Sequence, residues 1–150
     1  MIEFTVYGKP APAGSKKGFY NAKARRVIIT DDSKHSRPWK AQVSDAAAEA
    51  MDGRVLINGP LELRLAFYVP RPKGHFGAKG VRPSAPVSPA VKPDLLKLAR
   101  AVEDALSGIV YRDDAQIVRE LLAKQYGEPA RVVVQAIELL TSQAKRGAAA

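Results

Sequence analysis

Between Pro60 and Pro70 the chain reads PLELRLAFYVP, with Leu61, Leu63, Leu65, Phe67 and Val69 on every second position. Period two with bulky apolar residues predicts a strand with one buried face. Ile2–Gly8 alternates more loosely and predicts a first strand, and the β-branched run Val27, Ile28, Ile29 predicts a short second one over Arg26–Thr30. Ser36 is placed to cap a helix whose first turn takes Pro38, with Gly53 as its stop. Along that helix Trp39, Val43, Ala46, Ala47 and Ala50 repeat at helical spacing, so Trp39 is expected in the core.

A second helix is predicted over Pro93–Leu106, where Leu95, Leu98, Ala99, Val102 and Leu106 share one face and Gly108 ends the run. Ile117–Tyr126 and Arg131–Leu140 read as two strands of a hairpin around Gly127–Ala130. Lys9–Lys17 is a Pro/Gly/Ser loop with three lysines. Residues 71–92, with four prolines and three glycines, predict a mobile basic loop in which His75 is solvated. The order β-β-α-β-α-β-β gives an α+β fold, a mixed sheet with two principal helices packed on it. A single domain is expected over 1–143, with a flexible tail at 144–150.

Charge changes the picture by where it lies. The net +9 is concentrated in residues 1–40, which sum to +6, and residues 64–100, which sum to +7. Two basic segments of this kind fit a phosphate-binding surface as well as simple solubility. With no cysteine and two histidines, a metal would be held by oxygen ligands, which favours magnesium or manganese. The start of the chain lacks the basic and apolar regions of a signal peptide and no run is long enough to span a membrane, so a cytoplasmic protein is expected.

Five of the fifteen acids, Asp94, Glu103, Asp104, Asp113 and Asp114, crowd between positions 94 and 114, just after the basic loop. Carboxylates that hold a divalent cation beside cationic side chains that hold phosphates suit phosphodiester hydrolysis. A helix cap at Asp94, an ion pair at Asp104 and a turn at Asp113–Asp114 account for the same residues structurally.

The stretch KPDLLKLARAVEDAL at 92–106, followed by SGIVYRDDAQI at 107–117, resembles the signature of RusA-like Holliday-junction resolvases. GKPAPAGSKK near the start, the Pro38–Trp39 pair and the strand at 61–69 match in order and spacing. The resemblance implies a magnesium-dependent homodimer, with manganese a possible substitute, that binds four-way DNA junctions and nicks two strands symmetrically. It places the family's helix aspartate on Asp94, its later aspartate on Asp114 with Asp113 beside it, and its helix lysine on Arg100. Departures from the family pattern are Leu96, where a second aspartate is usual, and Lys97, where asparagine is usual.

Helical geometry offers a replacement for the missing acid. With Asp94 at 0°, Leu96 falls near 200°, Glu103 near 180°, Arg100 near 240° and Asp104 near 280°, at roughly 100° per residue. Glu103 thus shares the face of Leu96, though seven residues further on and roughly 10.5 Å along the axis. The expected site is Asp94, Glu103 and Asp114 as catalytic and metal-binding groups, with Asp113 as a further metal ligand, Arg100 on the phosphate and Asp104 structural. DNA contacts are expected from Lys9, Lys16, Lys17, Arg71, Lys73, Lys79, Arg82, Lys92 and Lys97. Two other readings compete: a junction-binding protein disarmed by Leu96, and a phage nuclease that trims branched or flapped DNA.

Overall fold

The computed structural model describes residues 1–14, 16–31 and 34–143, with the side chains of 16–19 and 29–31 outside the description. The tail expected at 144–150 lies outside the described residues. Eight strands and two long helices follow one another as β1 (Ile2–Tyr7), β2 (Lys16–Asn21), β3 (Arg26–Asp31), α1 (Ser36–Met51), β4 (Leu61–Val69), β5 (Phe76–Gly77), β6 (Gly80–Val81), α2 (Leu95–Leu106), β7 (Ile117–Tyr126) and β8 (Arg131–Glu138). This is the α+β arrangement expected, a mixed sheet with two helices on it. No helix among the described residues is long and apolar enough to cross a membrane.

The main sheet runs β1-β8-β4-β7, with β7 parallel to β4 and the other pairs antiparallel. That order corrects the predicted hairpin. β7 and β8 are not partners, because β4 lies between them and the loop at 127–130 passes over its end. Gly127 N donates to Val69 O at 3.1 Å there, and Gly8 N donates to Ala130 O at 2.9 Å. The physical reason is burial. Leu61, Leu63, Leu65 and Phe67 of β4 are at most 1% exposed and need neighbours on both sides. β7 carries Arg119, Glu120, Lys124 and Gln125, which suit a sheet edge.

A second correction concerns the N-terminal loop. Lys16 and Lys17, expected to be irregular, belong to β2, which pairs antiparallel with β3. KKGFYN has no clean alternation, but the β-branched run of β3 supplies a ladder for it.

α1 and α2 cover one face of the sheet. Trp39 (2% exposed), Val43, Ala47 and Met51 from α1 meet Leu98, Ala99, Val102 and Leu106 from α2 over β4, β8 and β1 in a single core. Trp39 is a core residue, as expected. α1 begins one residue earlier than expected: His35, not Ser36, holds the N-cap position, without a side-chain bond, and Ser36 is buried in the first turn. Ser44 Oγ donates to Ala105 O at 3.0 Å, and Lys40 Nζ meets Asp104 at 3.3 Å, so the helices are also joined by polar contacts.

Residues 71–92 carry their own local structure. Lys73–His75 form a 3-10 turn, and β5 and β6 form a two-residue hairpin. Against the expectation of a solvated ring, His75 sits edge-on to Tyr126 at 5.4 Å, with Arg71 over the same Tyr126 ring at 4.4 Å.

The uncovered face of the sheet holds one polar group out of water. Glu62, 3% exposed, is paired with Arg64 on its own strand and with Arg119 of β7 at 2.8 Å. The Arg119 and Arg64 guanidinium groups hold its carboxyl below the usual range.

Candidate active site

The turn DDAQ is built around its glutamine. Gln116 Oε1 accepts from the N–H groups of Arg112 (2.8 Å) and Asp113 (3.0 Å), while its Nε2 donates to the carbonyls of Ile57 (2.8 Å) and Gly59 (3.0 Å). Asp113 closes the turn from the other side by accepting from Ala115 N at 2.8 Å. Together these make a capping box over the 3-10 turn Asp114–Gln116 that leads into β7. Asp113 is thus occupied locally, and the Ala115 N–H keeps its carboxyl below the ordinary range. The hydrogen bond that Asp113 shares with Asp114 pushes Asp114 up.

Asp114 faces the C-terminal half of α2 across a small cavity of about 290 Å³ whose walls include Glu103, Asp114, Arg119 and Glu120. Glu103 is half-buried there. Burial, a hydrogen bond to Glu120, and the charges of Glu120, Asp114 and Asp104 push its carboxyl up to about 8. At neutral pH Glu103 therefore keeps its proton. The main chain of Glu103 is fixed: its carbonyl accepts from Ser107 N (3.1 Å), Ser107 Oγ (3.2 Å) and the buried Tyr111 hydroxyl (2.9 Å). The Tyr111 phenol is raised, first by its own burial and then by the Glu103 charge.

The structure brings Glu103 and Asp114 together and leaves Asp94 apart. Asp94 holds the N-cap position of α2 without a side-chain cap bond, and nine residues of helix separate it from Glu103, roughly 13 Å of rise. It lines a different cavity, with Lys9, Lys92 and Lys97. The turn before it is held by Lys124, whose Nζ donates to Val91 O (2.7 Å) and Pro93 O (2.8 Å), and the N-terminal loop docks through Ala13 N to Lys97 O (2.9 Å). Leu96 is 71% exposed, and Arg100 is exposed on the same helix.

The remaining cationic candidates divide by what they already do. Arg71 donates to Pro86 O at 2.7 Å and Arg82 to Phe76 O at 3.1 Å, so both brace the 71–92 segment. Lys73 and Lys79 are exposed on it. The side chains of Lys16 and Lys17 lie outside the described residues.

Sequence reasoning missed Glu120. Its partner in the ladder is Leu63, so it points to the helix face with Leu122 and Lys124. Counting by two along Ile117–Tyr126 groups these residues, but only the parallel pairing with β4 shows that the group faces α2. A divalent cation suits hard oxygen donors whose mutual repulsion it relieves, and Glu103, Glu120 and Asp114 are such a set. Among the described residues no three such side chains already converge into a metal cage.

A curated relative, "Uncharacterized protein YqaN" of Bacillus subtilis (strain 168), is 32% identical over 141 residues, covering 92% of this chain and 96% of the relative. The family model described as "Endodeoxyribonuclease RusA" matches residues 8–137, which contain the acidic cavity, the capped turn and, β1 excepted, the strands of the main sheet, and the chain belongs to that family.

Proposed function

We propose that this chain is a structure-selective endonuclease that hydrolyses phosphodiester bonds at DNA branch points, four-way junctions above all, with paired nicks made by a homodimer. The observation that carries the reading is the half-buried Glu103 hydrogen-bonded to Glu120 with Asp114 beside them. Three carboxylates in one small cavity cost stability unless a cation or a proton offsets their repulsion.

Magnesium, or manganese in its place, bound by these oxygens would supply a polarised phosphate and an activated water. Glu103, deprotonated, and Glu120 of β7 would be two of the residues to hold the ion. Asp114 completes the set from the capped turn. Arg100, exposed on α2, would neutralise a phosphate as a fixed charge, a task open to arginine as to lysine, whereas proton transfer is not. Asp94 enters on the resemblance to the family; an Asp94→Asn variant that cuts at the wild-type rate would remove it. The exposed lysines give affinity without reading sequence.

A disarmed, junction-binding protein is the second reading, favoured by one observation: Leu96 is 71% exposed where the family carries an acid. Cleavage of a labelled four-way junction in magnesium and in EDTA, beside linear duplex and flap controls, decides between them. Paired nicks that need magnesium support the enzyme. Tight binding with no nicks in magnesium or manganese sinks it, and faster cutting of flaps than of junctions reassigns the substrate.

A further inference from the structure

The larger cavity, at the opposite end of α2, has a different chemistry from the acidic one. It encloses about 760 Å³, within the usual range of ligand sites. Val69 and Pro70 reach it from the end of β4, Tyr126 from the end of β7, and Asp94 from the start of α2. It therefore opens beyond the C-terminal ends of two parallel strands, beside the helix that connects them.

Its walls are apolar and stiff, formed by Pro10, Pro38, Pro72, Pro93, Trp39 and Val91 among others. Lys9, Lys92 and Lys97 also line it; all three are exposed, and no salt bridge among the described residues engages them. Asp94 is the single acid in the lining. Trp39 is 2% exposed, and its indole Nε1 has no acceptor among the described residues. A buried donor without a partner beside a cavity marks a place where a ligand atom or water completes the bonding.

We propose that this cavity receives one unstacked nucleotide of the DNA, its base between the proline and aromatic walls and its phosphate against Lys9, Lys92 and Lys97; the inference rests on the branched-DNA reading above. A base is flat and largely apolar on its faces, and its ring nitrogens and carbonyl oxygens are acceptors that the Trp39 donor lacks. The phosphodiester needs the lysines. Within a linear duplex each base is stacked and paired, whereas a nucleotide at a branch point leaves the stack at much lower cost. Selectivity for branched DNA then arises from a pocket that only an unstacked nucleotide fills, with no groove-reading helix required.

Trp39 is the chain's single tryptophan, so its emission reports on this cavity. The full chain in EDTA is titrated with a four-way junction, with the same junction carrying abasic residues at the branch positions, and with linear duplex. The intact junction is expected to change Trp39 emission and the duplex to leave it unchanged. Abasic branch positions are expected to weaken binding about fivefold or more, as loss of one base contact does. Val91 is 63% exposed at the cavity, so Val91→Glu should fold normally and weaken junction binding, while Val91→Lys should retain it.

Equal affinity and equal emission change for the abasic junction overturn the proposal, because phosphate contacts then account for everything. A response to hexaglutamate but not to DNA overturns it in favour of an acidic protein partner. Magnesium-dependent cleavage with Trp39 emission unmoved removes the cavity inference and leaves the nuclease reading standing. Failure to bind any branched DNA by electrophoretic shift removes both.

Discussion

The hydroxyl of Tyr111 donates a 2.9 Å hydrogen bond to the main-chain carbonyl of Glu103. Tyr111 is fully buried, so the bond is made out of water, and it ties the turn after α2 to the helix residue that points into the acidic cavity. The carboxylate proposed to hold the ion needs a backbone that stays where it is, and a core side chain holds the backbone of Glu103.

Tyr111→Phe should therefore cost about 1 kcal/mol of stability, measured by urea unfolding. Cleavage should fall while junction affinity holds, because the lysines are untouched. Unchanged cleavage would mean that the two Ser107 donors fix Glu103 without help.

The Glu103 carboxyl, pushed up to about 8, keeps its proton in the folded chain at pH values where an ordinary glutamate, near 4.5, has lost it. In metal-free buffer this group makes the folded state progressively less stable as pH rises from 4.5 to 8, the reverse of a salt-bridged carboxylate. Glu103→Gln should flatten that part of the stability profile. The same variant should lose cleavage by more than the roughly 10–100-fold typical of an outer-shell metal partner. Thermal melts across this range in EDTA, with and without added magnesium, check the first claim, and magnesium should protect the wild type more than the variant.

Asp113 and Asp114 are adjacent but should separate cleanly. Asp113→Ala removes the acceptor for Ala115 N–H and opens the capping box, so it should lower the melting temperature and reduce cleavage only several-fold. Asp114→Asn should leave the melting temperature near wild type and abolish metal-dependent nicking. Reversal of the pattern would make Asp113 the ligand.

Glu62 is held below its usual range by Arg119 and Arg64. Its contribution is present above the unfolded value of 4.5 and is lost as pH falls through the lowered folded value. Acid denaturation should begin at higher pH in Arg64→Met, while DNA cleavage at neutral pH stays close to wild type.

The parts of this fold that local pattern determines are legible in the sequence. β4 declares itself by strict alternation, and α2 by one apolar stripe ending at Gly108. Placement across the sheet is not. Whether Ile117–Tyr126 pairs with the strand that follows it or with β4 depends on which strand most needs burying, a comparison between distant segments. The same limit hid Glu120, whose partner Glu103 lies on another element. Leu96 and Glu103 share a face by arithmetic, yet the structure leaves the first 71% exposed and the second half-buried. A helical wheel gives direction but not what stands opposite. Gln116 was read as part of a motif, while its four hydrogen bonds show it to be the structural centre of that motif.

The strand order has a consequence in time as well as in space. β1, made first during synthesis, finds its main-sheet partner in β8, made last. β4 likewise gains one of its two neighbours only when residues 131–138 arrive. An emerging chain can form its helices and the β2–β3 arm early, but it cannot close the sheet until almost the whole sequence has left the ribosome. Such pairings between distant segments slow folding and leave unpaired edges exposed meanwhile. A chain cut short before β8 should lose the fold as a whole, so a premature stop there would leave aggregating material and no partly active nuclease.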